Sequence, residues 1–101
     1  MALIVDGMNV IGSVPDGWWR NRTAAMRRLA AALPEGAILV LDGHPRDLGT
    51  DADVRWAPVA DDLIAELAQP GDTVVTSDRG LIARLDCEVE PARAFRRRLD
   101  G

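Results

Sequence analysis

Short apolar runs that end in aspartate recur along the chain. The first run is Ala2–Val5, and β-branched runs also occupy residues 38–41 and 73–77. Runs without polar alternation are typical of parallel strands that are buried on both faces. In each case the next residue is an aspartate: Asp6, Asp42 and Asp78. The pattern therefore predicts three central strands, each with a carboxylate at its carboxyl end.

Helical spacing of apolar residues separates these strands. It predicts a helix from a cap at Asn21 or Thr23 to Leu33, with inward-facing Met26 and Leu29. Further helices are expected from Val59, from Asp78 and from about Pro91, and the one opened by Asp78 should turn Leu81, Ile82 and Leu85 inward. Weaker strands are expected at 53–57, at an edge of the sheet, and at 87–89.

This alternation predicts an α/β fold. Strands that alternate with helices are joined by right-handed crossovers, which places the strands parallel and the helices on both faces of the sheet. We expect one domain over residues 1–101, with three layers and a mostly parallel central sheet.

Composition narrows the functional classes. The only cysteine, Cys87, excludes an internal disulfide, and no Cys/His spacing suits zinc. All twelve basic residues are arginine, so mechanisms that need a P-loop lysine or a Schiff base are excluded. No apolar stretch is long enough for a membrane span, and no signal peptide is recognisable. We expect a cytoplasmic protein that does not contact membranes.

The arginines are clustered although the net charge is -4. Four lie in residues 20–28 and four in residues 93–98. Either cluster can contact phosphates or form a solvated helix face. The adjacent Trp18 and Trp19 leave a similar choice, between stacking on bases and packing a helix onto the sheet.

Two interpretations also exist for the aspartates at the strand ends. Each can be a turn or helix N-cap residue. Together, however, they should meet at the carboxyl edge of the sheet, where ligands bind in open α/β folds. Asp61 and Asp62 lie in the first turn of the helix that begins near Val59. Helical geometry places Asp61 at the border of the apolar stripe and Asp62 further toward solvent, which favours Asp61 as a site residue.

Carboxylates brought together in this way indicate a metal site. Their mutual repulsion and burial cost free energy unless a cation compensates for them. Oxygen ligands without thiolate or imidazole select Mg²⁺ or Mn²⁺. Such ions can activate water for phosphodiester hydrolysis, which makes nucleic acid hydrolysis the leading class.

Four segments carry a resemblance to a known family: Val5–Gly12, Leu41–Pro45, Ala60–Ile64 and Thr76–Arg79. They resemble the successive motifs of NYN-type domains in the PIN-like nuclease superfamily, of the YacP-like kind. The resemblance implies a three-layer, Rossmann-like fold of the PIN-like kind. It also implies a metal-dependent endoribonuclease that acts on single-stranded RNA in RNA processing or turnover, in some cases at the ribosome.

The resemblance also implies roles for individual residues. By motif position, Asp6, Asp61 and Asp78 are catalytic acids that hold metal, and Asn9 is a catalytic residue that orients water, substrate or a carboxylate. Asp42 and Asp62 are further candidate metal ligands. We expect Asn9, Ser77 and Arg79 to contact substrate near the scissile phosphate. The plainer alternatives are a helix cap for Ser77 and a salt bridge for Arg79.

Some features depart from the family pattern. Met8 stands where the motif commonly has tyrosine. The chain is shorter than many relatives of this kind and has a compact loop after Asp53, so we expect a protein partner, the ribosome or a second copy in a homo-oligomer to complete the RNA path. Two other functions remain open: a metal-dependent phosphohydrolase acting on a small nucleotide or phosphate ester, and a non-catalytic RNA- or protein-binding module.

Overall fold

A five-stranded parallel sheet forms the centre of the computed structural model, which describes all 101 residues. Its strands run in the order β3-β2-β1-β4-β5, and every neighbouring pair is parallel. The mostly parallel sheet expected from the sequence is thus confirmed. The strands are β1 (Leu3–Asp6), β2 (Ile38–Asp42), β3 (Asp53–Ala57), β4 (Thr73–Val75) and β5 (Glu88–Glu90).

Five helices cover both faces of the sheet: α1 (Gly7–Gly12), α2 (Arg22–Ala32), α3 (Ala60–Leu67), α4 (Arg79–Ile82) and α5 (Ala92–Asp100). A 3-10 turn at Trp18–Arg20 precedes α2. The larger core joins α1, α2 and α5 to one sheet face, and the smaller core joins α3 and α4 to the other. This is the expected three-layer arrangement. None of the helices combines the length and apolar character that a transmembrane span requires.

Local signals placed several element boundaries correctly. Asn21 caps α2 by accepting the backbone N–H of Ala24, and Pro91 directly precedes α5. One detail differs from expectation. Ile82, expected to face inward, is exposed because α4 ends there after a single turn.

The connection between β2 and β3 contains no helix, which is unusual for parallel neighbours. Leu48 buries its side chain in the larger core, only 7% exposed, and so replaces a crossover helix in covering the sheet. Arg27 Nη2 donates to the carbonyl oxygen of Asp47 at 3.1 Å and Arg46 Nη1 to Thr23 Oγ1 at 2.9 Å. The loop after β2 is therefore held against α2.

Candidate active site

Asp6 is the buried centre of the carboxyl edge. It ends β1, the middle strand of the sheet, and only 4% of its surface is exposed. Its Oδ2 atom accepts a hydrogen bond from Thr76 Oγ1 at 2.8 Å. Burial, the largest cause, and the nearby carboxylates of Asp61, Asp42 and Asp78 together raise the pKa of Asp6 to about 6, against the lowering effect of the Thr76 bond. The fold thus buries the Asp6 carboxyl group among other negative charges, where its ionised form is unfavourable.

Asp42 and Asp61 lie at the same edge of the sheet and are linked through the start of α3. Asp42 ends β2, and its Oδ2 atom accepts the backbone N–H of Ala60, the first residue of α3, at 3.0 Å. Asp61 follows in the first turn of that helix and is half-buried. Burial, the largest cause, and repulsion from Asp78 and Asp42 raise the pKa of Asp61. The helix cap therefore brings the two carboxylates together.

Asp78 arrives from the other side of β1. It is the N-cap of α4, and its Oδ1 atom accepts the backbone N–H of Leu81 at 3.1 Å. Asn9, in α1, has its Oδ1 atom 2.8 Å from the backbone nitrogen of Ser77, whose N–H it accepts. Because that oxygen is engaged, the Asn9 amide nitrogen is the end of the side chain that stays free to donate.

These side chains line one open cavity of about 340 Å³. Four carboxylates and one amide face it, and no cationic side chain does so: the lining is Asp6, Met8, Asn9, Asp42, Val59, Asp61 and Asp78. Capping is therefore compatible with a role in the site, because Asp42 and Asp78 each engage one oxygen at a helix start and keep the other available.

The donor chemistry of the cavity fits a hard divalent cation. All side-chain ligand atoms that it offers are oxygens, apart from the Asn9 amide nitrogen and the Met8 thioether, and the mutual repulsion of the carboxylates is what a cation would relieve. In the conformation seen here, no group of three or more His, Cys, Asp or Glu side chains converges closely enough to hold an ion. Binding would therefore require the carboxylates to rotate toward one another.

Three residues predicted for the site lie outside this cavity. Asp62 is exposed, and its Oδ1 atom pairs with Arg84 Nη1 at 2.7 Å. Ser77 Oγ accepts the backbone N–H of Ala92 at 2.9 Å and so caps the start of α5. This agrees with the helix-cap alternative given for Ser77 above. Arg79 is exposed at the start of α4 and forms no ion pair, contrary to the salt bridge considered for it.

Sequence patterns did not single out Thr76 or Val59. Thr76 is fully buried and bonds both Asp6 and the backbone N–H of Asp78. Its position two residues before Asp78, in the Thr76–Arg79 motif, was the only indication in the sequence. A threonine after a strand is otherwise too common to be recognised as a site residue. Val59 lines the cavity with an exposed apolar side chain, and nothing in its sequence context indicates this role.

Among solved structures, the chain is similar to the crystal structure of a mutant of Rae1 (YacP) from Bacillus subtilis. The TM-score is 0.76 and the sequence identity 23%, with 99% of this chain and 74% of that chain covered. At this identity the similarity shows a shared, YacP-like fold. No protein-family model matches the chain, and no curated protein matches it.

Proposed function

We propose that the protein is a metal-dependent endoribonuclease that hydrolyses phosphodiester bonds in single-stranded RNA, with Mg²⁺ or Mn²⁺ as its cofactor. The observation that carries the proposal is the cavity at the carboxyl edge, where Asp6, Asp42, Asp61 and Asp78 meet without a cationic side chain. The fold shared with Rae1 (YacP) and the motifs that resemble NYN-type domains support the same conclusion.

The four aspartates would hold the cation. Asp6 and Asp42 contribute from the ends of β1 and β2, whereas Asp61 and Asp78 contribute from the starts of helices. A bound Mg²⁺ or Mn²⁺ supplies an activated water and stabilises charge on the scissile phosphate. Asp62 is left out of this set because its carboxylate pairs with Arg84 away from the cavity.

Asn9 would orient the substrate. Its carbonyl oxygen is fixed by the backbone N–H of Ser77, so its amide group has one rotamer and one direction in which to donate. An amide N–H at the cavity wall is suited to a non-bridging phosphate oxygen. Arg79, exposed and without an ion pair beside Asp78, is available for a neighbouring phosphate.

The test is cleavage of end-labelled single-stranded RNA in Mn²⁺, in Mg²⁺ and in EDTA. We expect metal-dependent internal cuts by the wild type and at least a 100-fold loss in Asp61→Asn and Asp78→Asn, roughly what removal of one charge-stabilising group costs. Asp62→Asn is the matched control, because it makes the same chemical change one residue further along α3 and should keep activity.

Several outcomes would contradict the proposal. Cleavage that survives EDTA and both substitutions would come from a contaminant. Equal losses in Asp61→Asn and Asp62→Asn would show that the cavity does not define the site. If the protein hydrolyses small phosphate esters but leaves RNA intact, it is a phosphohydrolase and not a nuclease. If it binds RNA without metal and does not hydrolyse it, it is a binding module.

A further inference from the structure

One of the two arginine clusters of this acidic protein lies before and within α2. Residues 17–34 contain four arginines and no acidic residue, although the whole chain has a net charge of -4. None of these four arginines pairs with a carboxylate, whereas Arg96 and Arg98 in α5 both do. The arginines before and within α2 are therefore available to a partner that carries negative charge.

Exposed Trp19 stands among these arginines. Half of its surface is exposed, at 51%, which is high for a large aromatic side chain. Its ring meets Trp18 edge to face, with ring centroids 5.9 Å apart and an interplanar angle of 85°. Trp18 itself packs against the larger core and carries the guanidinium of Arg22 over its ring, 5.4 Å from the centroid. Trp19 is thus held in place with a face open to solvent.

The loop after β2 connects this region to the cavity. Asp42 lines the cavity, and Arg46 follows four residues later, so their Cα atoms are at most about 14 Å apart. The Arg46 guanidinium donates to Thr23 Oγ1 in the first turn of α2. The start of α2, with Arg22 and the preceding 3-10 turn, therefore lies on the same side of the sheet as the acidic site.

We propose that Trp19, Arg20, Arg22 and Arg46 form an anchoring patch for the single-stranded RNA that flanks the cleavage site. The inference rests on the proposed function, because the acidic cavity repels phosphates and needs a neighbouring surface to hold the strand. An open aromatic face among unpaired arginines matches the chemistry of single-stranded nucleic acid, in which bases stack and phosphates pair with guanidinium groups. Stacking on Trp19 requires an unpaired base, so the patch also selects single strands over duplex.

The test measures binding separately from cleavage. A fluorescently labelled single-stranded RNA 12-mer is titrated with the full chain in EDTA, and anisotropy gives Kd at several salt concentrations. We expect Trp19→Ala to weaken binding roughly 5- to 150-fold, the range for loss of one base stack. Arg46→Gln should reduce the slope of log Kd against log salt by about 0.7, the value for one phosphate contact on a single strand.

Arg97→Gln is the matched control. Arg97 is also exposed and forms no ion pair, but it lies in the second half of α5, next to Arg98, which lines a cavity with Met1 and Leu3 at the opposite edge of the sheet. We expect it to leave Kd and the salt slope as in the wild type. Circular dichroism of each variant checks that the fold is retained.

Three results would overturn the patch. The first is that Trp19→Ala binds the RNA with the same Kd as the wild type. The second is that Arg46→Gln and Arg97→Gln give equal slopes of log Kd against log salt. The third is that double-stranded RNA binds as tightly as single-stranded RNA. Because no metal is present, these results are independent of catalysis. If the protein cuts RNA in Mn²⁺ but binds it without Trp19, the proposed function stands and the patch is wrong. If it binds RNA through Trp19 but never cuts it, the patch stands and the proposed function is wrong.

Discussion

The hydroxyl of Thr76 donates to Asp6 Oδ2 at 2.8 Å, across 70 residues of sequence, inside the protein. The same hydroxyl oxygen accepts the backbone N–H of Asp78 at 3.1 Å. One buried side chain therefore connects the end of β1 to the start of α4, and with them two of the four carboxylates of the cavity. Thr76 is a positioning residue in this arrangement.

Thr76→Val tests that connection. Valine keeps the shape but leaves a buried carboxylate oxygen and a backbone N–H without a partner, so we expect a loss of about 1–3 kcal/mol in the free energy of unfolding. RNA cleavage should fall as well, since Asp6 loses its orientation. Thr76→Ser retains the hydroxyl and should cost only the methyl group, about 0.8 kcal/mol. Urea denaturation of the wild type and both variants gives the comparison, and a Thr76→Val protein as stable as the wild type would show that the bond contributes nothing.

Asp6→Asn is expected to stabilise the fold in metal-free buffer at alkaline pH. The pKa of Asp6 rises from 3.8 to about 6 on folding, so the folded state binds the proton more tightly, and stability falls as pH rises between these values. At pH values above this range, ionised Asp6 lowers the free energy of unfolding by about 3 kcal/mol, since each pKa unit corresponds to about 1.4 kcal/mol.

The Asp6→Asn variant removes this cost while the buried position keeps an oxygen that can accept from Thr76. We expect a gain of up to about 3 kcal/mol near pH 8 that disappears below pH 3.8. Urea denaturation across the pH range measures it. Asp86→Asn, at an exposed position, is the control and should change stability at no pH. A destabilised Asp6→Asn protein at alkaline pH would contradict the expectation.

Cation binding should be visible as thermal stabilisation, independently of any substrate. Mn²⁺ at tenfold its Kd is expected to stabilise the wild type by about 1.4 kcal/mol through linkage. Asp61→Asn removes a cavity carboxylate and should lose most of this increase, whereas Asp62→Asn should retain it. Differential scanning calorimetry with and without Mn²⁺ makes the measurement. An equal response of the two variants would place the ion elsewhere.

Gly7 is required by the close approach of α1 to β2. A Cβ atom at this position would lie 3.0 Å from the carbonyl oxygen of Val40 and would collide with the Leu41 side chain. Gly7→Ala should therefore cost about 1–3 kcal/mol by overpacking and displace Asp6. In Gly12→Ala, at the other end of α1, the nearest atom is 3.8 Å away in Trp18, so this control should be tolerated. Denaturation midpoints compare the two, and similar losses would argue against a steric cause.

Much of the layer architecture was predictable from the sequence because its signals are local. Apolar runs of strand length and helical spacing of Met26 and Leu29 depend on neighbours in the chain, and they were confirmed by β1, β2 and α2. The order of Asp61 and Asp62 around α3 was equally local, since it follows from 100° of rotation per residue. Asp61 does line the cavity and Asp62 does not. Whether these residues bind metal stays a prediction.

Other features depended on partners far away in sequence. The burial of Leu48, in the loop between β2 and β3, exists only because the loop packs against α2 and the sheet. The free amide nitrogen of Asn9 follows from its bond to Ser77, 68 residues away, and Thr76 acquires its role only when β4 pairs with β1. Local patterns were enough to indicate which residues end strands and begin helices. Which oxygen of each aspartate is engaged and which remains available depends on the fold, because strand pairing brings those donors and acceptors together.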